Sequence, residues 1–386
     1  MILRADARAI PLRDESVDSI VTDPPYELGF MGKKWDSSGV AYSVDVWTEA
    51  LRVLKPGGHL LAFGGSRTYH RLACAIEDAG FEIRDQIQWI YGSGFPKSHN
   101  VGLRIDKMHG APDRGHRIAV ANRHHPDGTL EPNGEKLPAY EAKTEQGEAW
   151  VGWGTALKPA HEPIVVARKP LGESTVAENV LAHGTGAINV DGCRVEIDPK
   201  VDDPRLGGKG DWSSDKMAKN VYEGGYAGER VGSSVLGRWP ANVIHDGSEE
   251  VVRLFPNVKA GVAVRHRSGG KNCHSETDKP PMADMGYADS GSAARFFYVA
   301  KASKTDRGEG NNHPTVKPTD LMRYLCRLVT PPGGIILDPF AGSGSTLRGA
   351  FLEGFKSIGI ELDAGYCRIA RGRMNLLTPA MAGLMG

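Results

Sequence analysis

The stretch Val17–Tyr26 reads VDSIVTDPPY and joins a short run of mostly β-branched and apolar residues to a pair of prolines. The run predicts a β-strand over Val17–Thr22. Proline lacks a backbone N–H and holds the chain extended, so we expect the strand to end here and the following side chains to lie beyond its carboxyl end. Open α/β sheets carry their active sites at this edge.

The residues that follow this strand form a candidate catalytic site, which consists of Asp23, Pro24, Pro25 and Tyr26. Asp23 and the Pro24 carbonyl can accept the two hydrogens of an exocyclic amine, while Tyr26 stacks on the ring that carries the amine. An amine held this way loses conjugation with its ring, and its lone pair becomes available for attack. The stretch alone also fits a strand and a diproline turn in which Tyr26 only packs.

A second motif follows the apolar run Ile335–Leu337, where residues 338–346 read DPFAGSGST and a helical pattern begins. Two glycines separated by one residue allow a tight turn and a close approach to a ligand, and the helix N-terminus supplies free N–H groups. The next predicted strand, Ser357–Ile360, ends at an acid that can accept both hydroxyls of a ribose. The candidate cofactor-binding residues of this motif are Asp338, Phe340, Ala341, Gly342, Ser343, Gly344 and Glu361.

The same order of elements also occurs in dinucleotide-binding sites, which have a strand, a glycine turn, a helix, a second strand and an acid. Leu347 stands where the third glycine of the dinucleotide fingerprint is needed, and the surrounding sequence has no arginine and glycine cradle for a pyrophosphate. The sequence also lacks a phosphate-binding loop of the Walker type. The motif therefore favours S-adenosylmethionine over a dinucleotide without excluding the latter.

The sequence Asp23–Tyr26 (DPPY) resembles the catalytic motif of the DNA methyltransferases that modify amino groups with S-adenosylmethionine, on adenine N6 or cytosine N4. Residues 340–344 (FAGSG) resemble the cofactor motif of the same family, and His313–Pro318 (HPTVKP) resembles the segment that precedes it. The resemblance implies that Lys317 binds the cofactor carboxylate and that Thr315 makes a backbone or hydroxyl contact. It also likens Asp6 to an aspartate near the cofactor adenine, although Asp6 equally fits a turn or capping acid.

The order of these motifs resembles the permuted β class of the family, with the catalytic motif first and the cofactor motif last. It implies an α/β fold, a Rossmann-like doubly wound and mostly parallel sheet, with an inserted irregular target-recognition lobe. We expect the catalytic half of the methyltransferase domain at 1–96, a basic and acidic loop insertion contacting DNA at 97–160 and a return strand of the core at 161–170. The target-recognition lobe is then expected at 171–295 and the cofactor-binding half at 296–386.

Composition limits how such a protein meets its partners. The 386 residues include 47 basic and 47 acidic side chains, so a polyanion must be held by a local patch rather than by net charge. The segment 97–125 offers one, with six Lys or Arg and five His against two Asp. The five cysteines form no Cys-x-x-Cys pair, and we expect neither a metal site nor a disulfide. With no signal peptide or membrane-spanning run, we expect a cytoplasmic location.

These features together predict methyl transfer to adenine N6 of a base flipped out of double-stranded DNA. Adenine is preferred because Asp leads the catalytic motif, whereas cytosine N4 enzymes of the family more often carry Ser there. Cytosine N4 methylation stays open as an alternative, as does an inactive DNA-binding protein with the same fold. The resemblance also leaves open a homodimer and a cognate restriction enzyme. The glycine-rich segment Gly29–Asp36 is expected to form a mobile loop over the target base.

Overall fold

The computed structural model describes residues 1–29, 34–94, 98–110, 123–124, 130–131, 140–197, 237–259, 290–300, 306–307, 311, 313 and 315–375. The chain divides into two compact units. The first consists of Met1–Gly92 and His161–Gly386, and the second of Ser93–Ala160.

The strands are β1 (Ile2–Arg4), β2 (Val17–Thr22), β3 (Leu54–Phe63), β4 (Glu82–Ile90), β5 (Arg123–His124), β6 (Leu130–Glu131), β7 (His161–Arg168), β8 (Val243–His245), β9 (Asn257–Lys259), β10 (Ser290–Ser292), β11 (Tyr298–Val299), β12 (Ile335–Asp338) and β13 (Lys356–Glu361). The α-helices are α1 (Val44–Val53), α2 (Tyr69–Asp78), α3 (Val101–Met108), α4 (Glu145–Glu148), α5 (Val176–His183), α6 (Glu249–Val252), α7 (Thr319–Val329), α8 (Ser345–Leu352) and α9 (Ala364–Asn375). Within these described residues, no helix is both long and apolar enough to span a bilayer.

The first unit contains a nine-stranded sheet in the order β1-β13-β12-β2-β3-β7-β4-β8-β11. Its pairs are parallel except those that β7 makes with β3 and β4. The expected doubly wound, mostly parallel α/β sheet is confirmed. The sequence order reverses direction at the neighbours β12 and β2, because the strands that follow each of them extend the sheet on opposite sides. Ligands of such sheets bind at this reversal.

Burial explains why the central strands could be read from the sequence. Every residue of β2 is buried, and β3 is buried along most of its length. Helices pack on both faces, so these strands are nearly continuous apolar runs rather than alternating ones. One core cluster gathers around Trp47 of α1, and a second around Tyr324 and Leu325 of α7.

The second unit is inserted in the loop of a long β-hairpin. Strands β4 and β7 are antiparallel and register Ile90 against His161, so Ser93–Ala160 leaves and re-enters the fold between neighbouring strands. Within this unit, Asp106 of α3 accepts the Tyr140 hydroxyl at 2.6 Å and the Thr144 hydroxyl at 2.7 Å. These bonds tie α3 to the start of α4.

The structure differs from the sequence interpretation in several segments. The sequence at 187–190, AINV, predicts a short strand, but these residues have no strand assignment and lead into a short 3₁₀ turn at Asp191–Cys193. The sequence at 55–58, KPGG, predicts a turn that ends helix α1, but these residues belong to β3. Helix α5 lies in the part expected to be irregular. The expected mobile loop Gly29–Asp36 lies partly outside the described residues, at 30–33, as does much of the basic segment, at 111–122.

Candidate active site

The two motifs meet because β2 and β12 are neighbours in the sheet. Ser19 pairs with Ile336 and Ile20 with Leu337, so both strands deliver their following residues to the same edge. At that edge the Thr22 hydroxyl donates to Asp338 Oδ1 at 2.7 Å, which links the last residues of the two strands. The catalytic and cofactor motifs are therefore side by side, although more than 300 residues separate them in sequence.

One cavity of about 800 Å³ opens at this edge. Tyr26 and Gly342 both line it. Of the residues singled out in the sequence, the cavity is lined by Asp6, Asp23, Pro24, Pro25, Tyr26, Thr315, Lys317, Asp338, Phe340, Ala341, Gly342, Ser343 and Glu361. Gly344 is not among the lining residues and lies behind them in the turn, where its N–H donates to the Ala341 carbonyl at 2.7 Å.

Asp23 has one occupied and one free carboxylate oxygen. Oδ2 accepts a hydrogen bond from Lys317 Nζ at 2.8 Å. Oδ1 is buried and has no hydrogen-bond partner among the described residues. A buried acceptor without a donor is unfavourable, because its hydration is lost and nothing replaces it. Asp23 lines the cavity, so a donor group of a ligand bound there can satisfy this oxygen.

The Tyr26 side chain is fixed at its hydroxyl. The hydroxyl donates to Glu162 Oε2 at 2.8 Å and accepts from Lys317 Nζ at 3.0 Å. The Tyr26 carbonyl accepts the Thr68 hydroxyl at 2.8 Å. Burial, with the Asp23 and Glu162 carboxylates, raises the pKa of Tyr26 well above its ordinary value. Tyr26 thus stays a neutral phenol that can offer a ring face but is not a base.

Lys317 lies at the centre of this group. Its ammonium contacts Asp23 at 2.8 Å and Glu162 at 3.2 Å, and it lies over the rings of Tyr26 and Phe63. Burial alone would lower the pKa of Lys317, but the two carboxylates outweigh it and the pKa is raised. Lys317 is therefore a permanent cation held by Asp23 and Glu162. Its contact with the cofactor carboxylate, which the family resemblance implies, stays a prediction.

Glu162 was missed in the sequence interpretation. It lies in β7, which is separated from β2 by one strand of the sheet, and it is 136 residues from Tyr26 in sequence. Its only local signal is an acid between His161 and Pro163 just before a strongly apolar strand. Such a signal does not distinguish it from a surface acid at a strand end.

The glycine turn has the conformation that its sequence requires. Gly342 and Gly344 have φ values of +49° and +80°, in the left-handed region that favours glycine. A Cβ on Gly342 would stand 2.9 Å from His313 Nε2. The Gly342 N–H donates to Glu361 Oε2 at 2.8 Å, and Arg373 of α9 donates to the Ser343 carbonyl at 2.6 Å. The turn is therefore shaped by its glycines and held from both sides.

Two acids flank this turn. Burial raises the pKa of Asp338 to about 6, although its hydrogen bonds with Thr346, Thr22 and the Phe340 N–H oppose the change. Burial also raises the pKa of Glu361, whose oxygens accept the N–H groups of Gly342 and Asp363. Each Glu361 oxygen keeps acceptor capacity beyond these bonds.

The remaining candidates lie on the same wall. The Arg8 hydrogen bond lowers the pKa of Asp6, which forms an ion pair with Arg8 at 2.7 Å. The preceding residue, Ala5, donates its N–H to the Glu361 carbonyl at 3.3 Å, so the N-terminal segment lies beside the acid of β13. The Thr315 carbonyl accepts from His313 Nδ1. The described residues contain no cluster of metal-ligating side chains.

This donor set fits a cofactor that has a ribose, an amino acid part and a positive centre. An acid at the end of β13 suits the ribose hydroxyls, the open glycine turn admits a close approach, and the Asp23 side lies across the same cavity. A pyrophosphate would instead require positive charge at the turn. Arg373, the arginine that is bonded to the turn, is buried and donates to the Ser343 carbonyl and hydroxyl.

Comparison with known proteins agrees with this site. The DNA methylase family matches residues 17–372 of the chain, which include both motifs. The chain belongs to the DNA methylase family. Its members modify amino groups of adenine or cytosine, and S-adenosylmethionine is the cofactor of this DNA methyltransferase.

Relatives of the methyltransferase include the type II methyltransferase M.HindIII of Haemophilus influenzae, which is 26% identical over 86% of this chain and 68% of that protein. The DNA adenine methyltransferase YhdJ of Escherichia coli is 41% identical over 68 residues, which are 18% of this chain and 23% of that protein. Among solved structures, a putative DNA modification methylase of Thermus thermophilus complexed with S-adenosyl-L-methionine is 16% identical, with a TM-score of 0.41 over 96% of this chain and 91% of that one.

Proposed function

We propose that the methyltransferase transfers a methyl group from S-adenosylmethionine to adenine N6 of a base flipped out of duplex DNA. The observation that carries this proposal is the buried Asp23 Oδ1, which has no hydrogen-bond partner among the described residues, on a residue that lines the same cavity as Tyr26 and the glycine turn. An adenine amine has the hydrogen that this oxygen lacks. The ring of Tyr26 offers a stacking surface for the base that carries the amine.

In this reading each residue of the catalytic motif has a separate role. Asp23 Oδ1 and the Pro24 carbonyl accept the two amine hydrogens, which draws the nitrogen out of conjugation with the ring and makes its lone pair available for attack. The methylated amine then releases one of these two hydrogens as a proton. The two prolines hold the backbone extended, so that these acceptors stay fixed before the base arrives. Catalysis then comes from positioning and from the negative charge of Asp23 beside an amine that becomes positive.

The cofactor supplies an electrophilic methyl group on a positively charged sulfur. Glu361 would hold the ribose, the turn Gly342–Gly344 would approach the amino acid part, and Asp6 would lie near the adenine. Thr315, Asp338, Phe340, Ala341 and Ser343 shape the wall between them. Lys317 is proposed to contact the cofactor carboxylate.

The base must leave the helix to reach this cavity. Flipping costs a few kcal/mol, and stacking on an aromatic side chain returns about 1–3 kcal/mol per base. Contacts of the protein with the rest of the duplex must supply the difference. We expect these from the segment 97–160 and from the proposed target-recognition lobe 171–295.

Adenine is preferred over cytosine for two reasons. An aspartate leads the catalytic motif, and one relative, YhdJ, is described as a DNA adenine methyltransferase. Cytosine N4 methylation is the alternative, since the same acceptors fit a cytosine amine.

The product decides between the two bases. Duplex DNA methylated by the purified protein is digested to nucleosides, which are then identified by mass spectrometry. N6-methyladenine is the expected product, and N4-methylcytosine alone would overturn the preference. The same DNA, sequenced for modified positions, would give the recognition site.

Replacing the catalytic acid tests whether the chain is an active enzyme or an inactive DNA-binding protein. Asp23→Ala is expected to reduce methyl transfer to background while S-adenosylmethionine still binds in calorimetry. Asp78→Ala, at an exposed position of α2, is the control and should retain full activity. Full activity of Asp23→Ala would contradict the proposal.

A homodimer and a cognate restriction enzyme stay predictions. Light scattering can test the first of these.

A further inference from the structure

Glu162 contacts Tyr26 and Lys317, two residues that line the proposed active site. Its side chain is 18% exposed, and its Oε2 atom accepts both the Tyr26 hydroxyl at 2.8 Å and the Lys317 ammonium at 3.2 Å. It is carried by β7, the antiparallel strand that lies between β3 and β4. A rigid central strand therefore fixes this carboxylate behind the catalytic motif.

Lys317 is shared between two acids rather than paired with one. Its side chain is 7% exposed and contacts Asp23 on one side and Glu162 on the other. A lysine paired with Asp23 alone could turn its donors toward both carboxylate oxygens. Because Glu162 and Tyr26 take the other ammonium contacts, the lysine reaches only Oδ2 of Asp23, and Oδ1 stays free.

The charge of this group also has a consequence for the reaction. Two carboxylates and one ammonium leave a net charge of −1 in a mostly buried site. A positive charge that develops on the target amine is stabilised by this excess, and the effect is strong where water is excluded. Without the Glu162 charge, Asp23 and Lys317 would form a neutral pair.

We propose that Glu162 is a positioning residue for methyl transfer, which holds Lys317 and the Tyr26 hydroxyl so that Asp23 keeps one oxygen for the target amine and the site keeps its negative charge. Glu162 does not touch the base in this scheme. It acts through the side chains of Lys317 and Tyr26. The inference rests on the role proposed above for Asp23.

The test uses Glu162→Gln, which keeps the shape and an acceptor oxygen but removes the charge. We expect the single-turnover rate of methyl transfer to fall about 100-fold, the size seen when one preorganised electrostatic contact to developing charge is lost. The dissociation constant for S-adenosylmethionine and the melting temperature should stay close to those of the unaltered protein. Glu162→Asp, which restores the charge with a shorter reach, should recover part of the rate.

A matched control comes from an ion pair at the other end of β7. Glu82 of β4 accepts from Arg168 of β7 at 2.6 Å, outside the cavity. Glu82→Gln also removes a carboxylate from an ion pair of β7 and should leave the rate unchanged. A similar loss in both variants would mean that β7 tolerates no change, and would overturn the positioning role.

The remaining outcomes separate this inference from the proposed function. A normal rate for Glu162→Gln with an inactive Asp23→Ala would overturn the inference alone. Normal rates for both would overturn the proposed function as well. A parallel loss of rate, cofactor affinity and melting temperature in Glu162→Gln would show a structural role and also overturn the inference.

Discussion

At the scale of single residues, Asp338 links stability to pH. Burial raises its pKa to about 6 from an ordinary value of 3.8, so the folded state binds the proton more tightly than the unfolded chain. The corresponding stabilisation is fully present below pH 3.8 and is lost as the pH rises through about 6. At neutral pH the folded protein therefore carries an unfavourable buried charge.

Asp338→Asn is expected to remove this dependence. Asparagine keeps an acceptor for the Thr22 hydroxyl and the Phe340 N–H, but it has no charge to bury. Relative to the unaltered protein, the free energy of unfolding of the variant should rise by about 2 kcal/mol between pH 4 and pH 7, since each pKa unit corresponds to about 1.4 kcal/mol and the unfolded chain already titrates near pH 4. Urea titrations at a series of pH values measure it. A difference that does not vary with pH would contradict the prediction.

Lys317 allows a second test at this scale. In Lys317→Met, Asp23 and Glu162 lose their shared cation and stay mostly buried, so we expect a loss of stability of about 3–5 kcal/mol and a much slower methyl transfer. If the main role of Lys317 is to hold Asp23 and Glu162, the affinity for S-adenosylmethionine should change little. Calorimetry below the melting temperature measures this affinity. A strong loss of cofactor binding would instead support the contact with the cofactor carboxylate.

Single residues were predictable where the chemistry is local. Asp23 and Tyr26 stand in one four-residue motif, and the glycines at 342 and 344 stand in another. Glu162 was not, because its contact with Tyr26 spans 136 residues and depends on where β7 lies in the sheet. Arg373 was missed for the same reason, since its bonds with Ser343 join α9 to the glycine turn.

At the scale of elements, the glycine turn before α8 can be tested with a matched pair of substitutions. Gly344 and Gly354 stand at the two ends of α8 and both have φ of +80°. A Cβ on Gly344 would lie 3.2 Å from Ala370 Cβ, whereas one on Gly354 would meet nothing within 4 Å. Both alanine variants should lose about 1–2 kcal/mol of stability from the left-handed backbone.

Only Gly344→Ala should affect the binding of a ligand in the cavity. Gly344→Ala is expected to weaken binding of S-adenosylmethionine, because Ala370 must shift or the turn must open. Gly354→Ala should bind the cofactor normally. Melting curves and calorimetric titrations of the two variants measure both effects. Equal cofactor affinity in the two variants would show that the turn adapts to the added methyl group.

Elements were predictable where burial leaves a continuous apolar run. Strand β2 has the bounds expected from the sequence, Val17–Thr22, and helix α7 covers Thr319–Val329, where Leu321, Met322, Leu325 and Leu328 recur at helical spacing. Residues 55–58 were interpreted as a turn because they contain proline and two glycines. In the structure they enter β3, and Gly57 takes φ of +76° within the strand. Strand pairing thus overrode a strong local turn signal.

At the scale of the whole molecule, the sheet order explains both what the sequence predicts and what it does not. Alternating strands and helices imply parallel neighbours, and the rule for open sheets then places two distant motifs at one edge. The position of β7 between β3 and β4 cannot be read this way, because β7 follows β4 only after the second unit. The part of the site that β7 carries therefore becomes visible only in the structure.

The hairpin of β4 and β7 allows the roles of the two units to be tested separately. Ile90 and His161 are register partners, so their backbones are already close without the 68 residues of Ser93–Ala160. A variant in which Asn-Gly joins Gly92 directly to His161 would have a short hairpin loop, which suits antiparallel neighbours. The catalytic and cofactor motifs lie entirely in the first unit, and the cavity residues do as well.

We expect this shortened protein to fold and to bind S-adenosylmethionine with unchanged affinity, because its sheet and cavity are intact. If the second unit supplies contacts to duplex DNA, as its basic segment predicts, DNA binding and methylation should both fall sharply. Calorimetry measures the first property, and fluorescence anisotropy with labelled duplex measures the second at two salt concentrations. A shortened protein that still binds duplex DNA with the original affinity and salt dependence would assign the DNA contacts to the first unit instead.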